Sequence, residues 1–443
     1  MSEPVAEHAF FHIDGAVPFD KPCYVERPAD LQLRDLALRG GLGYVLTASQ
    51  MGKTSLLFHV QAELRKLRLP TAYLDLHRFG SGAGVAVEPW CRSFLKVLAS
   101  DLRLGVDVSA WWAERREFTP IDRLFSFIRE ELGGATLGGA TPGAAIFIDE
   151  IGVLLNLAFG DDFINGLRAL YQSFGDGSAG RDGPRNRVAV VLFGMLPPDQ
   201  LVRDGTATRF NVGLRLELGN LPPANAAPLL QGLPGRQQAI LEHVFGWTNG
   251  HPYLTQRVCL AIAQDETRNW DGAAVQDVIR WLFLEPQAAE IDSNLSYVRD
   301  ALLLSPDKDE LIALYGAIRR GRALRNVERS PLHRQLRGCG LVRPDAHGRL
   351  VVANRIYERV FDRRWVSANG AFRWWRAVPR WAWVMLVAII IMAVLLGMAA
   401  VRIDRSERLA AEQQSAAQAR RLMAESAPLL ASHYDLALLL GLA

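Results

Sequence analysis

Thr47-Ala48-Ser49-Gln50-Met51-Gly52-Lys53-Thr54, continuing into Ser55-Leu56, is the stretch that decides how this chain is read. It follows a short apolar run, Gly43–Thr47, and opens a segment, Lys53–Lys66, in which Leu56, Leu57, Val60 and Leu64 recur at helical spacing. A strand, a tight loop and a helix joined by Gly-Lys-Thr make an anion cradle. Backbone N–H groups and the positive helix end face the phosphates, the ammonium reaches the terminal oxygens, and the next hydroxyl ligates Mg2+. Gly52, Lys53 and Thr54 meet that need, with Gln50, Met51 and Ser55 completing the turn. Thr47 stands where glycine is usual, so the first turn is expected to differ in shape. Lysine is otherwise scarce (Lys21, Lys66, Lys96 and Lys308), so Lys53 is not explained by abundance.

Further along, Ile146-Phe147-Ile148-Asp149-Glu150 is an apolar strand that ends in two acids. Acids often cap strands where the chain turns into a helix. Paired with the loop, Asp149 is expected to hold Mg2+ through water and Glu150 to polarise an attacking water. A strand, Thr71–Leu76, lies between the two motifs in sequence, which resembles the P-loop ATPases with an inserted strand and a catalytic Glu. The Asn-Lys-x-Asp motif that reads guanine is absent, so ATP is favoured over GTP.

Working outward, a helix is predicted through Ala29–Arg39, helical structure through about Val87–Leu132, a helix over Phe163–Phe174, and strands at Ala144–Asp149 and Val188–Phe193. Alternating strands and helices predict an α/β fold, a parallel sheet flanked by helices. Short all-apolar strands suit a sheet covered on both faces. The periodicity then turns helical from about Pro222 to Leu304. Residues 307–362 read as helices followed by a hairpin, Gly340–Val352, the outline of a winged helix. The expected organisation is a P-loop domain over 1–220, a helical lid over 221–304, a winged-helix-like domain over 305–366, a linker over 367–380, a transmembrane helix over 381–401 and a helical tail over 402–443.

The formal charge of +3, with 22% charged and 49% hydrophobic residues, excludes a disordered chain and does not suggest wholesale nucleic-acid coating. Four scattered cysteines give neither a zinc framework nor a disulfide scaffold, and the N-terminal residues do not form a secretory signal. Trp381–Val401 runs 21 residues without a charge, which spans the ~30 Å hydrocarbon layer, and tryptophans gather at one end. The flanking arginines tie in number: Arg373, Arg376 and Arg380 on one side, Arg402, Arg405 and Arg408 on the other. Orientation therefore follows from where ATP is found. The expectation is a single pass through a bacterial inner (cytoplasmic) membrane, with the nucleotide-binding part in the cytoplasm.

Tyr24-Val25-Glu26-Arg27-Pro28-Ala29-Asp30, the phosphate loop, Ile148-Asp149-Glu150, Arg209-Phe210-Asn211-Val212-Gly213 and Thr248-Asn249-Gly250-His251-Pro252-Tyr253-Leu254 together resemble the AAA-like ATPase domain of the STAND superfamily, over roughly residues 10–365. The resemblance implies an ATP-dependent signalling switch using ATP, ADP and Mg2+. It implies that Tyr24, Val25 and Arg27 lie near the adenine and that Pro252 lies where a helical lid meets the base, although a proline there also suits a helix start. Arg209 is a candidate arginine finger. Phe193-Gly194-Met195 lacks the Asn or Arg sensor that many relatives place there, so turnover is expected to be slow, or absent in a non-hydrolysing scaffold. The winged helix is expected to act as a nucleotide-dependent latch. A membrane-tethered DNA reader using Arg334 and Arg337 is the alternative, and nucleic acid is not the favoured partner. Protein partners are expected through oligomerisation or the C-terminal tail, where such chains often continue into a Trp-Asp-repeat propeller.

Overall fold

The structure is a computed structural model that describes residues 10–133, 143–175, 188–195, 213–265, 267–370 and 380–432. Arg209 to Val212 fall outside this set, as do the glycine-containing stretches 134–142 and 176–187.

A parallel sheet forms from β1 (Gly41–Leu46), β2 (Thr71–Asp75), β3 (Ala145–Asp149), β4 (Ala189–Gly194) and a short β5 (Leu214–Arg215), in the order β2-β3-β4-β1-β5. The strand that intervenes in sequence, β2, is thus not the one that intervenes in space. It lies outside β3, while β4 pairs with both β1 and β3 in parallel register. The predicted strand also stops one residue early, because Leu76 already begins a 3-10 turn capped by the Asp75 carboxylate. Strand β5 was missed: two residues are too few for any periodicity to register.

Alternation along each strand divides the core. Ile146 and Ile148 of β3 and Val190 and Leu192 of β4 face one layer, with α3 (Val87–Asp101), α4 (Val108–Glu114), α5 (Pro120–Gly133) and α6 (Gly160–Gly175). Phe147, Val191 and Phe193 point the other way, against α1 (Pro28–Arg39) and α2 (Lys53–Lys66). The 87–132 stretch is three helices rather than one. Asp107 accepts hydrogen bonds from the Ser109 and Ala110 amides and so starts α4 anew. Trp90 anchors this layer, its ring 5.5 Å from Phe94 and 5.6 Å from Phe163.

The remaining helices up to residue 370 include α7 (Gln237–Thr248), α8 (Pro252–Ala263), α9 (Gly272–Ile279), α10 (Ser293–Leu303), α11 (Lys308–Arg319), α12 (Pro331–Gly338), α13 (Arg355–Val360) and α14 (Arg363–Asn369). Between α12 and α13, β6 (Val342–Pro344) and β7 (Leu350–Val352) pair antiparallel around the Asp345–Gly348 turn. Helices α7 to α13 share one apolar core, with Val244, Ile279, Leu302, Tyr315, Leu341 and Phe361 all buried. Phe11, Cys23 and Val25 from the N-terminal lead are part of that same core.

Residues 371–443 form a separate unit. Its described part is one helix, α15 (Arg380–Ser432), which runs without interruption through the segment expected to cross a membrane and into the expected helical tail. No proline or glycine falls between Val401 and Ser426 to stop it, and the Ala, Glu, Gln and Arg residues there are helix formers. Met385–Glu425 includes a window of mean hydropathy 2.7, none of it buried, long and apolar enough by composition to cross a membrane.

Close packing between α5 and α6 rests on Gly166, where an added Cβ would lie 2.2 Å from the Phe125 ring. Gly166→Ala is expected to destabilise the protein by about 1–3 kcal/mol, the usual cost of overpacking, despite alanine's better helix propensity. Chemical denaturation followed by tryptophan fluorescence measures it; an unchanged midpoint would mean that the two helices are not in contact.

Candidate functional site

The ends of β1 and β3 open on the same side of the sheet, so the loop after β1 and the acids after β3 meet. The loop takes its shape from two left-handed residues, Gln50 at φ 58° and Gly52 at φ 78°. Glycine adopts that conformation freely; glutamine does so only against a steric cost. Arg27 stabilises the turn. Its Nη1 donates to the Met51 carbonyl at 2.7 Å and its Nη2 to the Gly52 carbonyl at 3.3 Å. Binding the carbonyls on one side leaves the loop's amides free to face an anion on the other. An added Cβ at Gly52 would come within 3.2 Å of the guanidinium.

Lys53 begins α2, 7% exposed, and its Nζ donates to the Ala48 and Thr47 carbonyls at 2.8 and 3.3 Å. Burial lowers its pKa to about 8, with Glu150 and Asp149 opposing the shift. Thr54 Oγ1 donates to Asp149 Oδ2 at 3.1 Å, and the Glu150 amide donates to Oδ1 at 2.9 Å. Asp149 is 2% exposed, and burial holds its carboxyl above the usual range. Glu150 adopts the left-handed φ of 55° and its side chain is half-buried; burial, then the Asp149 charge, raise its pKa. His77 Nε2 lies 4.0 Å from it. A buried carboxylate beside a hydroxyl, with a second acid next to it, is a donor set for a hard divalent cation such as Mg2+. The residues fit that ion.

Of the predicted residues, Gln50 to Ser55, Asp149, Glu150 and Arg27 thus form one cluster. Ser55 is partly engaged elsewhere: its Oγ accepts from the Val17 amide at 2.9 Å. Tyr24 stacks on His59 of α2, with ring centroids 4.1 Å apart, and donates to Asp30. Val25 is buried among the helices of the C-terminal half. Pro252 opens α8 behind His251, whose Nδ1 accepts from the Leu254 amide at 3.5 Å.

Sequence reading missed the links out of the loop. Gln50 Nε2 donates to Ser293 Oγ at 2.8 Å. Ser293 Oγ donates to Tyr253 Oη at 3.3 Å, and Tyr253 Oη to Asp292 at 2.9 Å. Asp292 caps α10 by accepting from the Asn294 and Leu295 amides. Asn294 in turn accepts from Tyr357 Oη at 2.6 Å. A lone serine far down the chain carries no local pattern, so only the Asp292 cap could have been found from sequence. A cavity of about 1230 Å³ joins Thr47, Ala48 and Met51 of the loop to Asn249 and His251 and to Arg334 and Arg337 of α12 and Gly340 just after it. The two arginines weighed as DNA readers line this cavity opposite the loop. An added Cβ at Gly340 would come within 3.1 Å of Ala48 Cβ, so this turn rests directly on the loop.

The profile of the AAA-like domain family matches residues 12–363. A WD repeat-containing protein of Synechocystis is 30% identical over 372 residues, 81% of this chain but 30% of its own length. This chain therefore spans less than a third of that curated relative. Among solved structures, a Walker-type ATPase of Pyrococcus abyssi superposes with a TM-score of 0.51 at 13% identity, over 79% of this chain and 99% of its own, which shows a shared fold.

An anion at the loop is bound best while Lys53 is charged, and in the ligand-free protein that charge is lost as pH rises through about 8. Nucleotide affinity is therefore expected to fall roughly tenfold between pH 7.5 and 9, one unit above that value. Calorimetric titration at the two pH values checks it; equal affinities would show that the lysine keeps its ordinary pKa.

Proposed function

The chain belongs to the AAA-like domain family, and from that premise we propose that it binds ATP at the 47–54 loop, hydrolyses it slowly, and acts as a STAND-type switch held at a membrane by α15. The observation that carries the reading is the part-buried Thr54–Asp149 contact beside Lys53, which brings the ends of two strands together as a cation and phosphate site would need.

In this reading Lys53 leaves the Ala48 and Thr47 carbonyls for the terminal phosphate, while the amides around Gly52 hold the remaining phosphate oxygens. Thr54 and Asp149 would hold Mg2+, which supplies charge neutralisation at the phosphate oxygens when bound. Glu150 orients the attacking water and accepts its proton; the environment that raises its pKa also makes it a stronger base. The Tyr24–Arg27 segment runs beside the nucleotide, Arg27 shaping the loop while the Val25 side chain anchors the segment in the neighbouring helical core. Slow turnover is the expectation because Met195, just beyond β4, offers no polar side chain to the phosphate.

The switch element is the Gln50–Ser293 bond. Seated phosphates pull on a loop whose Gln50 is conformationally strained, and that residue is tied to the start of α10 and through Asn294 to Tyr357. Loop and winged region therefore have a mechanical connection, and each nucleotide state can favour one arrangement of it. Family membership, the apolar α15 and a repeat-bearing relative favour signalling from a membrane surface over DNA reading. The inward placement of Arg334 and Arg337 points the same way.

Lys53→Ala should abolish ATP binding, and Glu150→Gln should keep binding while slowing single-turnover hydrolysis by about 10²- to 10⁴-fold. Unimpaired binding by the lysine variant would defeat the proposal. Gln50→Ala should leave nucleotide binding within a few-fold but reduce the difference in proteolytic protection between the ATP and ADP states. A difference as large as in the parent protein would remove Gln50 from the switch.

A further inference from the structure

Helix α2 leads away from Lys53, and beyond its first turn it carries His59 and Glu63, four residues apart and therefore on one face. That face meets the segment just before α1, where Glu26 sits. His59 Nε2 lies 3.5 Å from Glu26 Oε1, and one ligand atom from each of Glu26, His59 and Glu63 lies within 4.8 Å of the other two. The imidazole is fixed by its stack on Tyr24, at an interplanar angle of 14°. Both its ring nitrogens are shielded from solvent and neither makes a hydrogen bond. Buried polar atoms are nearly always satisfied, so an orphaned nitrogen aimed at a carboxylate calls for a partner.

We propose that Glu26, His59 and Glu63 form a binding site for a divalent transition cation of the Zn2+ class, with water completing the shell. The donor set argues for this class. An imidazole nitrogen is a poor ligand for Mg2+ and Ca2+ but a good one for zinc and its neighbours. Bonds of about 2.0–2.1 Å at tetrahedral angles put adjacent ligand atoms about 3.3 Å apart, close to the gap between Glu26 and His59. A rotamer change brings Glu63 in. Its Oε2 lies 3.7 Å from the Arg34 guanidinium, which leaves Oε1 for the metal. Two carboxylates and a neutral imidazole balance the double positive charge.

The ion-pair alternative sets Glu26 against a protonated His59 and Glu63 against Arg34, as two separate pairs. The metal reading uses all three residues. It also has a consequence for the neighbouring loop. Glu26 precedes Arg27, whose guanidinium holds the Met51 and Gly52 carbonyls. A cation bridging Glu26 to α2 would clip that segment to the helix that begins at Lys53. The site does not depend on nucleotide binding or hydrolysis.

The test uses the full chain in detergent, stripped with chelator and titrated with Zn2+ alone, with Co2+ as the spectroscopic probe and no nucleotide or Mg2+ present. One equivalent is expected to bind, with d–d absorption from Co2+. His59→Phe, which keeps the aromatic stack, and the near-isosteric Glu63→Gln should each weaken binding at least ~10-fold, since even outer-shell changes cost that much. Asp149→Asn should leave the stoichiometry unchanged. The proposal is overturned if the parent protein binds no equivalent below millimolar Zn2+, if His59→Phe and Glu63→Gln bind as it does, or if the loss follows Asp149→Asn instead. Circular dichroism of the variants separates lost ligation from lost folding.

Discussion

Asp149 is a carboxylate almost wholly removed from water, and the architecture around it is arranged to make that tolerable. An isolated buried charge costs several kcal/mol unless it is paired and hydrogen-bonded. Here the Thr54 hydroxyl and the Glu150 amide each address one oxygen, and Lys53 contributes opposite charge nearby. Thr54 and Lys53 come from the loop after β1 and the acid from the end of β3, two strands that β4 holds in parallel register so that their ends meet. Fold and chemistry are in this sense one constraint.

Much of this was legible in the sequence because the signals are local and periodic. Lys53–Lys66 was read to the residue, since apolar spacing and the Gly-Lys-Thr junction mark both its face and its start. The β3 and β4 strands are uninterrupted apolar runs and fell within a residue of their observed limits. What escaped depends on partners distant in sequence. Arg27's partners are carbonyls 24 and 25 residues further on, contacts that its place in a motif does not encode. Ser293 and Tyr357 matter only because tertiary packing brings them near Gln50, Asn294 and His251, and no spacing rule encodes that. That α15 is one continuous element is not marked by composition, which changes from apolar to polar while helix propensity carries on across the change.

The Thr248–Leu254 stretch shows how a short motif can do several jobs. Asn249 and Gly250 are both left-handed, which ends α7 and reverses the chain, and an added Cβ at Gly250 would lie 2.4 Å from the Leu221 carbonyl oxygen. Asn249 donates to the Ala353 carbonyl, Thr248 shares a hydrogen bond with Thr255, and Tyr253 reaches Asp292. His251 is buried in the same place, and burial lowers its pKa to about 4, so it stays neutral and adds no charge to the core. One turn thereby ties the segment after β7, the surrounding helices and, through Ser293, the loop.

The core that unites Phe11 and Val25 with Leu341 and Phe361 also bears on biosynthesis. A ribosome adds about 5–20 residues each second, so the first apolar side chains of this core wait on the order of tens of seconds for the last. Through that interval the sheet can assemble from its own residues while the leader stays without its final partners. A segment made well before its partners is then among the last to settle, and during translation its exposed phenylalanine and valine are ready contacts for a chaperone.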